Sequence, residues 1–348
     1  MNRAHIRLFV PTVPAVPAAL MSLVSLLSLF FFSRCQGQPS FGKDQLKLTR
    51  TIPMPEVKGR IDHMDVNLKE GFVYVAALGN NTLEVVDLAN GRVLHSITGL
   101  DEPQGIGYIP QTRELFVANG GSGDGCFYNA RTYEKLATIH LGSDADDVRV
   151  DSASRKIYVG YGSGGIAVID PVTHRQVGDI KLPAHPESFQ LDKSLSLLFV
   201  NLPDVHQVGV VDLKRGLLVG RWEDPAASAN FPMAVDTIRH RVFVGYRRPA
   251  RLVVFDGRTG SILNSEDMTG DADDLYYYSG AGKLFVSGGA GAISIFREEG
   301  GTWQRTANIP TRTGARTSLL IPALNSLVVA ARAASGQPAS LLVYTFAP

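Results

Sequence analysis

The chain contains very little cysteine, since only Cys35 and Cys126 occur among its 348 residues. Cys35 lies in an N-terminal segment that we expect to be removed, which would leave Cys126 without an intramolecular disulfide partner. No pair of cysteines has the spacing of a structural zinc site. The fold must therefore be stabilised by burial of apolar side chains.

The sequence also lacks an excess of charge of either sign. It has 34 Lys and Arg against 33 Asp and Glu. Removing the N-terminal segment with its three arginines would leave 34 − 3 = 31 basic residues against the same 33 acidic ones. A nucleic-acid-binding protein needs a basic face that engages phosphates. Nucleic acid is therefore not an expected partner.

Long apolar runs are absent except for Leu20 to Phe32, which follows a basic N-terminus. This length suits the core of a secretory signal and is short for a membrane span. We predict a signal peptide at residues 1–37, a single domain at 38–348, and a periplasmic or secreted mature protein without a stable membrane span. Anchoring to the membrane through Cys35 is a minor alternative, because the preceding residues are poor for lipoprotein processing.

What the chain does have is a repeat. Four short apolar runs between Asp144 and Pro183 are separated by Gly, Ser, Asp and Pro clusters, which predicts four strands joined by tight turns. The second run recurs every 41 to 44 residues, as VYVA at Val73, LFVA at Leu115, IYVG at Ile157, LFVN at Leu198, VFVG at Val242, LFVS at Leu284 and LVVA at Leu327. This period is that of a propeller blade, and the runs lack the spacing of helical-pair repeats. The sequence therefore predicts an all-β, seven-bladed β-propeller.

The two ends of the chain predict how the ring closes. The last repeat stops one strand short, and the missing strand resembles Gln45 to Met54 near the N-terminus. Pairing this segment with Leu341 to Phe346 would complete the last blade and cover edges that otherwise invite aggregation. We expect a monomer.

Three segments carry a resemblance to a known family: Phe72 to Leu94, Glu102 to Gly120 and Lys156 to Val177. In them the chain resembles the YVTN-repeat β-propellers of secreted bacterial and archaeal proteins. The resemblance implies the propeller fold. It implies no particular activity, because members of the family bind varied partners.

Polar residues occupy the positions that begin the innermost strand of each blade. Twelve residues before each second-strand aromatic position, or its equivalent, the chain has Asp62, Gln104, Asp146, Glu187, Phe231, Asp273 and Arg316. The next position holds His63, Gly105, Asp147, Ser188, Pro232, Asp274 and Thr317. Because these positions meet at one mouth of the central channel, six acids and one histidine are expected to converge there.

Such a cluster of carboxylates must bind a cation or take up protons, because ionised carboxylates repel one another. Oxygen ligands with one or two histidines favour Ca²⁺, Mg²⁺ or Mn²⁺ over zinc. The candidate metal ligands are Asp62, His63, Asp146, Asp147, Glu187, Asp273 and Asp274, and the candidate ligand rim is Gln104, His185, Arg247 and Arg316. The alternative is that these acids cap turns and pair with Arg60, Arg149 and Arg316.

Three functions are compatible with the sequence. The favoured one is an exported, non-catalytic propeller that binds a small-molecule or peptidic ligand at the acidic mouth, with or without a divalent cation. The second is a metal-dependent hydrolase or lyase similar to secreted propeller lactonases, in which His63 or His185 would act as acid or base. The third is a protein-interaction scaffold. No nucleotide cofactor is expected, because the G-x-G-x-x-G of Gly160, Gly162 and Gly165 leads into a strand.

Overall fold

The computed structural model describes residues 46–334 and 336–346, in which seven four-stranded antiparallel sheets form the blades of a propeller. The prediction of an all-β, seven-bladed fold is confirmed. The predicted signal peptide at residues 1–37 lies outside the described residues. In the part of the chain that is described, no helix has the length and apolarity needed to cross a membrane.

Six blades each use four consecutive strands, ordered from the channel outward. The first three are β2 (Met64–Asn67), β3 (Phe72–Ala77), β4 (Thr82–Asp87) and β5 (Arg92–Ile97); β6 (Pro103–Ile109), β7 (Glu114–Asn119), β8 (Asp124–Asn129) and β9 (Lys135–His140); and β10 (Val148–Asp151), β11 (Lys156–Tyr161), β12 (Gly165–Asp170) and β13 (Arg175–Lys181). The next three are β14 (Phe189–Asp192), β15 (Leu197–Leu202), β16 (Gln207–Asp212) and β17 (Leu217–Trp222); β18 (Ser228–Asp236), β19 (Arg241–Arg248), β20 (Ala250–Asp256) and β21 (Ile262–Asp267); and β22 (Ala272–Tyr278), β23 (Lys283–Gly288), β24 (Ala292–Glu299) and β25 (Thr302–Pro310).

Blade seven joins the two ends of the described chain. It comprises β26 (Ser318–Ile321), β27 (Ser326–Ala331), β28 (Ala339–Thr345) and, outermost, β1 (Lys47–Met54). In the antiparallel pair of β1 and β28, Ile52 lies opposite Leu341 and Met54 opposite Ala339. The predicted closure of the last blade by the N-terminal strand is therefore confirmed.

Burial explains why the second and third runs of each repeat are almost continuously apolar. Every residue of β4 is buried, and so is every residue of β3 except the first, because neighbouring blades cover both faces. The outermost strands β9 and β17 instead alternate between exposed and partly buried residues. The apolar cores lie between blades, as where Phe116 and Phe127 of blade two pack with Ile157 of blade three.

On the face of the ring opposite the acidic mouth, buried acids at the ends of innermost strands accept hydrogen bonds from turns and from neighbouring blades. Asp192 is fully buried and accepts bonds from the backbone N–H groups of Ser194 and Leu195, at 3.0 and 3.2 Å. It also lies 2.8 Å from Nδ1 of His240 in the next blade. Burial opposes ionisation of Asp192, but the bonds from Ser194 and His240 outweigh it and hold its pKa below the ordinary 3.8. This carboxylate therefore links blades four and five.

Replacing Asp192 by Ala is expected to lower the free energy of unfolding by about 3 kcal/mol, because it removes one partner of a buried, hydrogen-bonded pair. The matched control is Asp212→Ala, which removes two bonds to the backbone at an exposed turn and should lose about 1 kcal/mol. Because the folded-state pKa of Asp192 is depressed, its contribution is present above the unfolded pKa and disappears as the pH falls through the folded pKa. Denaturant unfolding at pH 7 and below pH 4 tests both points, and equal losses for the two variants would contradict them.

Candidate functional site

The innermost strands of all seven blades enclose a cavity of about 460 Å³ in the central channel. This volume is within the range of small-molecule sites. Apolar side chains such as Ile106 and Leu275 form part of its wall. Asp65, Arg149 and Tyr276 also line it, so the cavity offers both apolar surface and charged groups.

The acids at one end of this cavity are positioned by the backbone. In blade three, the N–H of Asp146 donates to the carbonyl of Gly160, and the N–H of Gly160 donates to the carbonyl of Asp147, both at 2.9 Å. The same pair of bonds recurs in blade one between Asp62, His63 and Ala76, and in blade four between Glu187, Ser188 and Asn201. Equivalent side chains of different blades are therefore held at the same height of the channel. We call Asp62, His63, Asp146, Asp147, Glu187, Asp273 and Asp274 the acidic mouth.

Besides Asp62, which pairs with Arg60, three acids of the mouth are bound by the protein itself. Asp273 lies between Arg247 and Arg316, with Oδ2 2.8 Å from Nε of Arg316. Asp147 pairs with Arg149, and Oδ2 of Asp274 accepts a 2.7 Å bond from the N–H of Ser318. Their carboxylates thus have the partners that the turn-and-ion-pair alternative requires.

A second group of side chains lacks such partners. Asp146 is only 9% exposed, and its Oδ1 is buried without a hydrogen-bond partner. Asp146, His185 and Glu187 each place one potential ligand atom within 4.8 Å of the other two. Nδ1 of His185 lies 2.6 Å from the carbonyl oxygen of Gly162, which can only accept, so Nδ1 carries the proton. The other ring nitrogen, Nε2, lies 3.8 Å from Oδ2 of Asp146.

His63 lies on the other side of Asp146. Its Nε2 is 3.7 Å from Oδ1 of Asp62 and 4.0 Å from Oδ1 of Asp146, while its Nδ1 is 3.7 Å from Oδ1 of Asp274. Oδ2 of Asp62 is 3.3 Å from the guanidinium of Arg60. The imidazole of His63 therefore faces three carboxylates.

Burial changes the protonation of this cluster. Burial, together with the neighbouring charges of Asp146 and Asp273, raises the pKa of Glu187 to about 8 against the opposing effects of His185 and Arg247. Burial likewise raises the pKa of Asp62 to about 7, although His63 opposes this shift. For His185, burial disfavours the charged form, but the nearby carboxylate of Asp146 and the bond to the Gly162 carbonyl raise the pKa to about 9. Without a cation, the mouth therefore holds protons near neutral pH.

The predicted ligand rim divides in the structure. His185 joins the cluster around Asp146, whereas Gln104 donates a 3.1 Å bond from Nε2 to Oδ1 of Asp144. Arg247 and Arg316 bind Asp273, and the guanidinium of Arg247 lies 3.5 Å from the ring centroid of Phe231. Three of the four rim residues therefore contact residues of the acidic mouth, and Gln104 instead binds Asp144, which is not a mouth residue.

The sequence did not lead us to place four polar residues in the wall of the cavity, although Arg149 was expected as an ion-pair partner of the acids. Asp65, Arg149, Gln190 and Tyr276 each lie three positions after the first mouth residue of their own blade. The alternation of side chains along a strand could have predicted them, because each lies in an innermost strand, two positions after the second mouth position of its blade, and residues i and i+2 of a strand share a face. Burial raises the pKa of Asp65 to about 6, against the bonds it accepts from the N–H groups of Tyr108 and Val66.

Comparison with known proteins identifies the fold. No protein-family model and no curated protein matches the chain. Among solved structures, a chain in the crystal structure of a mitotic checkpoint complex aligns over 98% of both chains, with a TM-score of 0.73 and 16% identity. Hydrazine synthase of Kuenenia stuttgartiensis aligns over 80% of this chain and 92% of that chain, with a TM-score of 0.70 and 14% identity.

In all, 1742 chains of solved structures match, so the architecture alone selects no function. Identities of 14 and 16% support a common fold and nothing finer. The resemblance to YVTN-repeat proteins is thus supported in its architecture, and membership of that family stays a prediction. By its seven sheets and by these neighbours, the chain is a seven-bladed β-propeller.

Proposed function

We propose that the protein binds a divalent cation at the acidic mouth through Asp146, His185 and Glu187, and a small-molecule ligand in the cavity below it. The observation that carries this proposal is that Asp146, His185 and Glu187 each place one potential ligand atom within 4.8 Å of the other two, and that the same Asp146 carboxylate has a buried oxygen, Oδ1, without a hydrogen-bond partner. A buried carboxylate oxygen without a partner is energetically costly unless a charge compensates it. A bound cation supplies that compensation.

The three side chains suit a metal in their chemistry. Because Nδ1 of His185 donates to the Gly162 carbonyl, its lone pair for coordination is on Nε2, the atom that faces Asp146. Hydrogen bonding of the second ring nitrogen is the usual way in which proteins orient a ligating histidine. Asp146 and Glu187 add carboxylate oxygens, which complete a mixed nitrogen and oxygen set.

The cavity supports the second half of the proposal. His63, Asp147 and Asp274 belong to the acidic mouth and also line the cavity, so the two are continuous. Three protein ligands leave coordination positions for an oxygen or nitrogen of a ligand. The signal peptide predicted from the sequence would place this binding outside the cytoplasm.

Thermal unfolding tests the cation. A ligand that binds only the folded state, at a hundredfold excess over Kd, raises its stability by about 2.7 kcal/mol. Mn²⁺ or Ca²⁺ should therefore raise the Tm of chelator-treated protein by several degrees. Asp146→Asn should abolish this rise, and the turn variant Asp212→Asn should retain it. Absence of a shift in the wild type, or an equal shift in Asp146→Asn, would contradict the proposal.

A glycine beside the cluster offers a test that alters none of the three ligands. A Cβ on Gly105 would lie 2.0 Å from the carbonyl oxygen of Asp146, so Gly105→Ala must displace that residue. We expect a loss of about 1–3 kcal/mol of stability and at least a tenfold loss of Mn²⁺ affinity by titration calorimetry. Gly270→Ala is the control, because its Cβ would meet only Ala290 at an ordinary 3.6 Å. Unchanged affinity in Gly105→Ala would argue against coordination by Asp146.

A protein-interaction scaffold is the second candidate. It is favoured by the matching chain from the mitotic checkpoint complex, which aligns with this chain over 98% of both.

The metal-dependent hydrolase or lyase would use the same cation to polarise a carbonyl. Turnover of esters or lactones that a chelator abolishes would support the enzyme. For a scaffold, Asp146→Asn should leave the binding of a partner protein unchanged.

A further inference from the structure

The cavity in the central channel has one carboxylate without a basic partner. Its wall contains the acidic and basic side chains of His63, Asp65, Asp147, Arg149 and Asp274. Asp147 pairs with Arg149, and Oδ1 of Asp274 lies 3.7 Å from Nδ1 of His63. Among the described residues, Asp65 is bonded by two backbone N–H groups and by no basic side chain. Once the ion pairs are set aside, the wall therefore carries one negative charge.

The backbone holds the Asp65 carboxylate in place. Oδ1 accepts a 2.8 Å bond from the N–H of Val66 in the same strand, and Oδ2 accepts a 2.6 Å bond from the N–H of Tyr108 in the next blade. A carboxylate oxygen has two lone pairs, so each oxygen of Asp65 retains one for a further donor. Asp65 is thus a fixed acceptor in the wall of a cavity of about 460 Å³.

The surroundings of Asp65 do not suit a metal ion. In the part of the chain that the structure describes, the side chains grouped closely enough to share one ion are Asp146, His185 and Glu187, and Asp65 is not among them. A lone carboxylate is a poor site for Ca²⁺, which takes six to eight oxygen ligands. The charge that compensates Asp65 is therefore expected to belong to a molecule that the rest of the cavity wall can also bind.

That wall suits a carbon skeleton that carries a positive charge. Ile106, Leu275 and Leu319 offer apolar surface, and the phenol rings of Tyr108 and Tyr276 line the same cavity. The face of an aromatic ring attracts an ammonium group, and the attraction is larger where water is excluded. Apolar surface, aromatic rings and one unpaired carboxylate together match the chemistry of an organic ammonium ion.

We propose that the ligand of the cavity is a small organic cation whose ammonium group binds Asp65. The inference rests on the proposed function, which places a small molecule in this cavity. Asp65 lies three positions after Asp62, the blade-one equivalent of Asp146, or about 10 Å further along an extended chain. The ammonium group and the cation of the acidic mouth therefore use different side chains at different depths of the channel.

Three probes of similar size and different charge test the ligand class. Phenethylamine is positively charged at neutral pH, phenethyl alcohol is neutral and hydrocinnamate is negatively charged. In nuclear magnetic resonance titrations of the full-length protein with Mg²⁺ present, the amine should bind at least about tenfold more tightly than the alcohol, because only the amine makes a charge-assisted bond. Hydrocinnamate should bind more weakly than either.

Variants then test the position of the amine. Asp65→Asn should reduce the affinity for phenethylamine to that for phenethyl alcohol, and it should leave the affinity for the alcohol unchanged. Asp212→Asn, at an exposed turn, is the control that should bind all three probes as the wild type does. Circular dichroism shows whether Asp65→Asn is folded, and the comparison of the three probes with the wild type requires no variant.

The outcomes separate this inference from the proposed function. Equal affinities for the amine and the alcohol, or a preference for hydrocinnamate, overturn the organic cation and leave a small-molecule site in the cavity. If no probe binds, the inference and the small-molecule part of the proposed function both fail, whereas the thermal shift with Mn²⁺ tests the metal part separately. An affinity for phenethylamine that Asp146→Asn lowers and Asp65→Asn does not would place the amine at the mouth and overturn the assignment to Asp65.

Discussion

Removing strand β1, residues 47–54, is expected to abolish soluble folded protein. Ile52 and Met54 are fully buried in the core that joins blade seven to blade one. Loss of one such side chain typically lowers stability by about 2–5 kcal/mol, and the total stability of a domain is only about 5–15 kcal/mol. The deletion also exposes the edge of β28, which would pair with other chains.

Far-ultraviolet circular dichroism and size-exclusion chromatography test this expectation. A chain that starts at Leu46 keeps β1 and is the control that should unfold cooperatively as a monomer. Within the strand, Ile52→Ala should lower Tm strongly, and Thr51→Ala, at an exposed neighbouring position, should change it little. A truncated chain that melts cooperatively as a monomer would show that ring closure does not depend on this strand.

The sequence was sufficient to predict the number of blades and the closing strand. This succeeded because strands such as β3 are covered on both faces and must be apolar in every repeat. It was less informative about where innermost strands begin. β18 in blade five starts at Ser228 and contains a register shift between Asn230 and Met233, which an apolar pattern does not reveal.

The sequence also predicted which residues meet at the mouth, because ring closure brings equivalent positions together. It could not predict how the acids divide between ion pairs and the cluster around Asp146. Asp273 is bound by Arg247 of blade five and Arg316 near blade seven, and such contacts depend on the order of blades around the ring. His185 lies between β13 and β14 and is positioned by its bond to the Gly162 carbonyl, a contact that strand periodicity does not predict.

The affinity of the acidic mouth for Mn²⁺ is expected to fall at least a hundredfold from pH 8 to pH 6. Metal ligands must be deprotonated, so every bound proton competes with the ion. Glu187 and His185 have pKa values of about 8 and 9 in the protein without metal, so each holds a proton at pH 6. Each displaced proton changes the affinity about tenfold per pH unit, because one pKa unit equals about 1.36 kcal/mol. Because these pKa values are raised, the affinity for Mn²⁺ increases as the pH rises towards them.

Titration calorimetry in buffers of different ionisation enthalpy measures both the affinity and the number of protons released. Glu187→Gln should bind Mn²⁺ more weakly and release about one proton fewer at pH 7, because the amide does not titrate. Asp212→Asn, at an exposed turn, should match the wild type in both respects. An affinity that is constant between pH 6 and 8, without proton release, would mean that the acids are already ionised. In that case the charge of the mouth would be compensated by arginines and not by a cation. These arginines are Arg60, Arg247 and Arg316.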